Sequence, residues 1–186
     1  MSGVRALAAA ALLAAAPAAA SNWAVVPAQS SIGFAAEWNG QAVQGRFERF
    51  TAAIRFDPKA LNAASVDAVI DLSSATTPDR TVNGALPGDD WFATGQSRQA
   101  RFRSTAIVAG RTPNSYVARG TLTLRGASVP VELPFTLAIN GDVATMNGTT
   151  RLDRRAFRIG MNSDAQGSWV GFAVPVSVRV VARRAK

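Results

Sequence analysis

The chain contains no cysteine and no histidine. Without cysteine there is no disulfide framework, no thiol nucleophile and no lipidated N-terminal cysteine. Without histidine, Ser-His and Cys-His catalytic pairs are excluded, as are zinc sites built on His or Cys. Lysine is almost as scarce: Lys59 and Lys186 stand alone, and neither lies in a Ser-x-x-Lys spacing. Paired carboxylates remain, but Asp89-Asp90 is adjacent rather than split across a cleft and reads as helix capping. No glycine-rich phosphate loop is present, because Gly110, Gly120 and Gly126 fall at strand ends and in turns. These absences argue against an enzyme, and no metal or cofactor is expected. After residue 20 no apolar run approaches the length of a membrane-spanning helix, so an unstapled chain must bury a core of its own.

What is there suits one globular domain: 186 residues, 48% hydrophobic and 17% charged. Arg5, the apolar run from Ala6 to Ala16 and the small residues Ala18-Ala19-Ala20 have the order of a secretory signal peptide. The expected leader is therefore 1–20 and the expected mature domain 21–186, with a bacterial periplasm as the compartment. The formal charge is +8, and loss of Arg5 leaves about +7. The basic residues are scattered along strands, with no basic helix, RNP-like aromatic motif or zinc finger, so nucleic acid is not the expected partner. Transient contact with an anionic membrane surface suits such a field better, beside the plainer reading of a merely basic surface.

The organising stretch is 43–58. Ala52, Ile54 and Phe56 alternate with Ala53 and Arg55, which is the period of a strand with one apolar face. Gly45 suits a kink or bulge, Asp57-Pro58 a turn, and the two aromatic-rich strands are expected to form a hairpin. Further strands are predicted over 21–26, 30–38, 65–72, 99–108, 116–125, 129–139, 143–152 and 169–181. Asn39-Gly40 and Asn140-Gly141 are hairpin turns. One interruption breaks this pattern: Thr77-Pro78-Asp79 predicts a short helix over 78–86 capped by Thr77, and Asp89 or Asp90 a second helical turn carrying Trp91 and Phe92.

Eight or more short antiparallel strands mean a sandwich or a closed barrel. The all-β reading adopted is an antiparallel barrel of about eight strands with a short helical insertion, since closure removes exposed edges and no Cys-Trp-Cys pattern supports an immunoglobulin sandwich. Ala36, Ala52, Ala68, Ala100, Ser104, Ala118 and Gly120 are small residues at inward positions. They leave either an open lumen or space that Phe and Trp from neighbouring strands fill, and periodicity does not decide between the two.

Trp23, Pro27, Ser30-Ser31-Ile32-Gly33-Phe34, Gly45-Arg46-Phe47, Phe50 and Phe56-Asp57-Pro58 resemble the N-terminal half of the YceI-like family of exported bacterial proteins. Asp90-Trp91-Phe92, Ala100-Arg101-Phe102, the run Gly120-Thr121-Leu122-Thr123-Leu124-Arg125-Gly126 and Val129-Pro130-Val131 continue it in order. Asp153-Arg154-Arg155 and Phe157-Arg158-Ile159-Gly160 complete it. The resemblance implies an extended lipocalin-like barrel whose lumen holds a long-chain amphiphile, such as a polyisoprenoid or isoprenoid quinone, in transport or storage. Two departures stand out. Gln29 occupies the place of a histidine common in the family, and the insertion reads Asp79-Arg80 and then Asn83 where an Arg-Asp pair is frequent.

The candidate lumen residues are Phe34, Trp38, Phe47, Ile54, Phe56, Ile70, Phe102, Leu122 and Phe135. Trp91 and Phe92 either close the mouth or anchor the helix. Arg154, Arg155 and Arg158 offer paired donors to a phosphate or quinone head group, or else form structural ion pairs with Asp153 or Asp57. The expected partner is a hydrophobic long-chain lipid. A fatty acid or amide binder, and a non-catalytic periplasmic adaptor with a filled barrel and a homodimeric state, stand as alternatives.

Overall fold

The computed structural model describes residues 20–38 and 40–185, so the expected leader falls outside the described residues except for Ala20. Eleven strands form: β1 (Ser21–Val25), β2 (Ser31–Trp38), β3 (Gln41–Phe47), β4 (Phe50–Phe56), β5 (Ser65–Asp71), β6 (Ala75–Thr76), β7 (Gln99–Ala109), β8 (Ser115–Leu124), β9 (Ala127–Asn140), β10 (Val143–Asp153) and β11 (Ala173–Arg184). Eight of them, in the order β1-β4-β5-β7-β8-β9-β10-β11, close on themselves through a β1–β11 pairing. The remaining three extend from β11 as β2-β3-β6. Every pairing is antiparallel. The fold is the expected barrel.

Alternation builds this wall. In β11, Val174, Val176, Val178 and Val180 face inward while Pro175, Ser177 and Arg179 face out. In β7, Ala100 and Phe102 face in, and Arg101 and Arg103 reach outward to Asp67 of β5 at 2.6 and 3.3 Å. Apolar inside and charged outside is the reverse of a transmembrane barrel. Among the described residues, no helix is long and apolar enough to cross a membrane.

Five local expectations are corrected. The strands β3 and β4 do not form a hairpin: β3 lies between β2 and β6, and β4 between β1 and β5. Their link, Glu48-Arg49, has no residue at positive φ, as a two-residue hairpin turn requires. Residues 71–74 intervene instead, with Glu48 N donating to Ser74 O at 3.1 Å and Asp71 N to Arg49 O at 3.0 Å. Gly45 marks no bulge, because the β2–β3 register is unbroken from Ile32↔Phe47 to Trp38↔Gln41. It leaves room for the Phe34 ring, into which an added Cβ would collide. The bulge lies between Ser104 and Ala106.

The helix, α1 (Arg80–Ala85), is capped by Asp79 rather than Thr77, and no second helical turn follows. Asp79 Oδ1 accepts from Thr81 N at 2.7 Å and Val82 N at 3.2 Å. Thr77 is occupied elsewhere, donating from N and Oγ1 to Asn83 Oδ1 at 2.7 and 2.9 Å. Replacing Asp79 with alanine is expected to cost about 1 kcal/mol and to lower the Tm by about 2–4 °C, read from a circular dichroism melt. Finally, β11 starts at Ala173, not 169; the preceding residues form a loop in which Val170 makes one isolated bridge to Trp38.

Candidate functional site

The inward side chains pack at two levels. Towards one end, Trp23, Phe56, Tyr116 and Phe135 form an aromatic plug, with ring centroids 5.1 Å apart for Phe56–Tyr116 and 5.5 Å for Tyr116–Phe135. Trp23 Nε1, at the edge of that plug, donates to Phe56 O at 2.9 Å. Towards the other end, Phe34, Phe47 and Phe92 meet at 5.4, 5.7 and 6.3 Å. Between the plugs lies a cavity of about 300 Å³. Among the described residues, apart from Trp23 and Trp91, only Thr150 and Arg154 bring side-chain nitrogen or oxygen atoms to its wall.

The lumen is open because its middle is lined by residues too small to fill it. Ala52 pairs across strands with Ala68, and Ala68 with Phe102. All three face inward yet keep part of their surface accessible. Of the expected wall residues, Phe34, Phe47, Ile54, Phe56, Ile70, Phe102, Leu122 and Phe135 line the cavity. Trp38 does not: it shares the inward phase of β2 but sits past the rim, 39% exposed. Phe50, Leu133, Ile139 and Met146 line it as well, and strand alternation was the signal for each.

A cap closes the Phe92 end. Trp91 and Phe92 both face the lumen, and Leu86 of the segment following α1 joins them. Two latches hold this cap to the loop after β10. The Arg125 guanidinium, in the β8–β9 turn, donates to the carbonyls of Asp89, Phe157 and Arg158. The Asp90 carboxylate accepts from Asn162 N at 2.9 Å, Ser163 N at 2.8 Å and Ser163 Oγ at 2.6 Å. Neither role has a local sequence signal, since the partners of Asp90 lie more than seventy positions away.

Burial pushes the Asp90 carboxyl up, but the Ser163 hydroxyl and the amides of Asn162 and Ser163 outweigh it and hold it below the ordinary value. A depressed folded pKa means that the latch is complete above the unfolded value of about 3.9 and lost as pH falls through the folded one. The Asn162 and Ser163 amide resonances are expected to titrate with a midpoint below about 3.9, and to lose that titration in Asp90→Asn.

The three arginines expected at the mouth have different fates. Arg154 reaches the wall but has no donor to spare. Nε donates to Val170 O, Nη1 to Ile159 O at 2.7 Å and Met161 Sδ at 3.8 Å, and Nη2 to Asp164 O, Asp164 Oδ2 and Val170 O at 2.8–2.9 Å. Its side chain and that of Asp164 are each 2% exposed, so this is a buried ion pair and not a head-group clamp. Arg155 is paired with Asp153 at 2.6 Å and lies 4.3 Å over the Phe172 ring. Arg158 is exposed at φ 56°, and only its carbonyl joins the latch. Neither Arg155 nor Arg158 lines the cavity. Among the described residues, no group of three Asp or Glu side chains is placed to hold a metal ion.

Comparison with known proteins places this geometry. Residues 23–182 match the YceI-like domain. A UPF0312 protein of Vibrio parahaemolyticus is 30% identical over 139 residues, covering 71% of this chain and 73% of that protein. Among solved structures, BcnA of Burkholderia cenocepacia has 32% sequence identity and a TM-score of 0.80, covering 84% of this chain and 98% of that one. A polyisoprenoid binding domain from Saccharophagus degradans, at 15% identity, shares the fold with a TM-score of 0.68 over 89% of this chain and 99% of its own.

Proposed function

The chain belongs to the YceI-like family, and from that premise we propose that it is an exported, non-catalytic carrier that holds a long-chain hydrophobic lipid in the barrel lumen. The observation that carries this reading is the apolar cavity between two aromatic plugs, kept open by Ala52 and Ala68. Its volume of about 300 Å³ falls at the lower end of the roughly 300–1,000 Å³ range of ligand pockets. Each methylene that leaves water for such a wall contributes about 0.8 kcal/mol before ordering costs. Affinity then follows chain length. A polyisoprenoid chain suits the lumen, and the shared fold of the Saccharophagus degradans domain, described as polyisoprenoid binding, supports that class. Among the described residues the wall's one cation, Arg154, is spent on Asp164, so recognition of a head group takes place outside the lumen. The basic outer surface and the expected leader favour a periplasmic protein that meets anionic membrane transiently.

The test is mass spectrometry of an organic extract of the mature protein, purified from its native compartment without detergent, beside an unrelated barrel treated alike. A stoichiometric prenyl or acyl species found only with this protein supports the carrier. An empty extract, with no uptake of isoprenoid quinones or fatty amides on titration, overturns it.

A further inference from the structure

The wall of the barrel is not continuous. The β9–β10 ladder runs from Val143↔Asn140 to Gly148↔Phe135 and stops, although β9 continues back to Ala127 and β10 forward to Asp153. Over this length β9 stays fully paired with β8, and β10 with β11. The result is a seam about 17 Å long, from the rise of five strand residues.

The cause is written in the sequence of β9. In an antiparallel ladder the N–H and C=O of one residue point to the same neighbour, and alternate residues point to opposite neighbours. Leu137 N donates to Asn114 O on the β8 side, whereas Glu132 O accepts from β10. Even-numbered residues of β9 therefore face β10. The next rungs would need N–H donors at 134, 132 and 130, and Pro134 and Pro130 have none. At the last rung Gly148 permits the fork: an added Cβ would stand 2.9 Å from Pro134 O.

One side-chain hydrogen bond spans the seam, from Thr150 Oγ1 to Glu132 O at 2.8 Å. Thr150 is also one of the few polar residues of the lumen wall. Inside the seam stand Leu133, Val131 and Leu152 of the lumen. Outside stand Arg119, held to Glu132 at 2.9 Å, and Arg151, which has no ion-pair partner among the described residues. A groove of about 900 Å³ on the outer face, with Arg119, Pro134, Asn147, Thr149 and Arg179 among the residues of its wall, begins where the ladder ends.

We propose that the β9–β10 seam is the portal by which a chain-like ligand enters the lumen, with the Thr150–Glu132 hydrogen bond as its latch and an anionic or strongly polar head group left outside against Arg119 and Arg151. This rests on the lumen as the binding site. The alternative route, beneath the cap, requires breaking both the Arg125 and Asp90 latches and parting the Phe34–Phe47–Phe92 cluster. The seam requires parting one hydrogen bond and a few aliphatic contacts.

The probe is decylubiquinone, whose binding quenches Trp23 and Trp91 in the lumen wall and is followed by stopped flow. Pro130→Thr with Pro134→Thr restores the missing donors. Association and dissociation are expected to slow together by about tenfold, with equilibrium affinity unchanged within about twofold, since the cavity is untouched. Thr150→Val, which removes the latch without closing the ladder, is expected to speed both, and carries the test if the proline variant does not fold. In a chain with no cysteine, Asp90→Cys with Ser163→Cys staples the cap alone. The oxidised form is expected to bind at the wild-type rate. Uptake blocked by the cap staple, or wild-type rates in both the proline and Thr150→Val variants, overturns the portal while leaving the lumen reading intact. No saturable quenching of the wild-type protein removes the lumen reading, and the portal with it.

Discussion

Replacing Arg154 with methionine is expected to lower stability by about 3–5 kcal/mol and the Tm by about 10 °C in a thermal melt. The magnitude follows from what the guanidinium leaves behind. Its carboxylate partner is sealed with it, and the Ile159, Asp164 and Val170 carbonyls lose their donor together. A buried pair is weak evidence of net stabilisation when both members are removed, but removing one leaves the buried charge of the other without its counter-ion. Arg154→Met with Asp164→Leu is therefore expected to recover part of the loss. If the single variant melts within about 1 °C of wild type, the 158–172 loop is held by other contacts and the pair is dispensable. The pH dependence has a definite sign. Burial pushes the Asp164 carboxyl up, but the Val170, Trp169 and Ser168 amides and the Arg154 charge hold it below the ordinary value. Its contribution is complete above the unfolded pKa of about 3.9 and fades as pH falls through the folded one, so melts between pH 5 and 8 show no step from this group.

That pair also shows where reading the chain stops. Strand phase is a local property, and it is legible: the alternation in β4, β5, β7 and β11 correctly places Ala52, Ala68, Phe102 and the valines on the lumen side. Which strands become neighbours is not local. The Glu48-Arg49 link looks like a hairpin turn until a segment from beyond β5 takes its hydrogen bonds, and nothing near residue 48 announces residue 74. Strand phase alone also overreaches at ends, as with Trp38, which keeps the inward parity after the wall has finished. Asp164 lies in a stretch without periodicity, ten positions after its partner, and three of its four ligating groups are backbone amides that have no side-chain signature. The arginines were visible as a cluster. Their division into one buried structural cation, one surface pair and one exposed side chain depends on the path of the 158–172 loop, which only tertiary packing sets.

One substitution at the middle of the barrel tests whether the open lumen is where ligand binds. Ala52→Phe places a ring beside Ala68, with Phe102 on the next strand. In a filled barrel the added volume is overpacking and costs roughly 1–3 kcal/mol. In an open lumen it occupies empty space, so the Tm is expected to stay level or rise by a few degrees. The ring takes the place of about four methylenes of ligand, each worth about 0.8 kcal/mol, so decylubiquinone affinity is expected to fall by roughly a hundredfold or more. Ala68→Phe, on the facing position, is expected to act alike, and the two together less than additively because they compete for one space. Both quantities come from the same samples, a melt and a fluorescence titration. Lost binding at unchanged stability marks a carrier whose cargo lies between Ala52 and Phe102. Unchanged binding at lowered stability means that the ligand lies elsewhere and that these alanines are packing residues of a closed core.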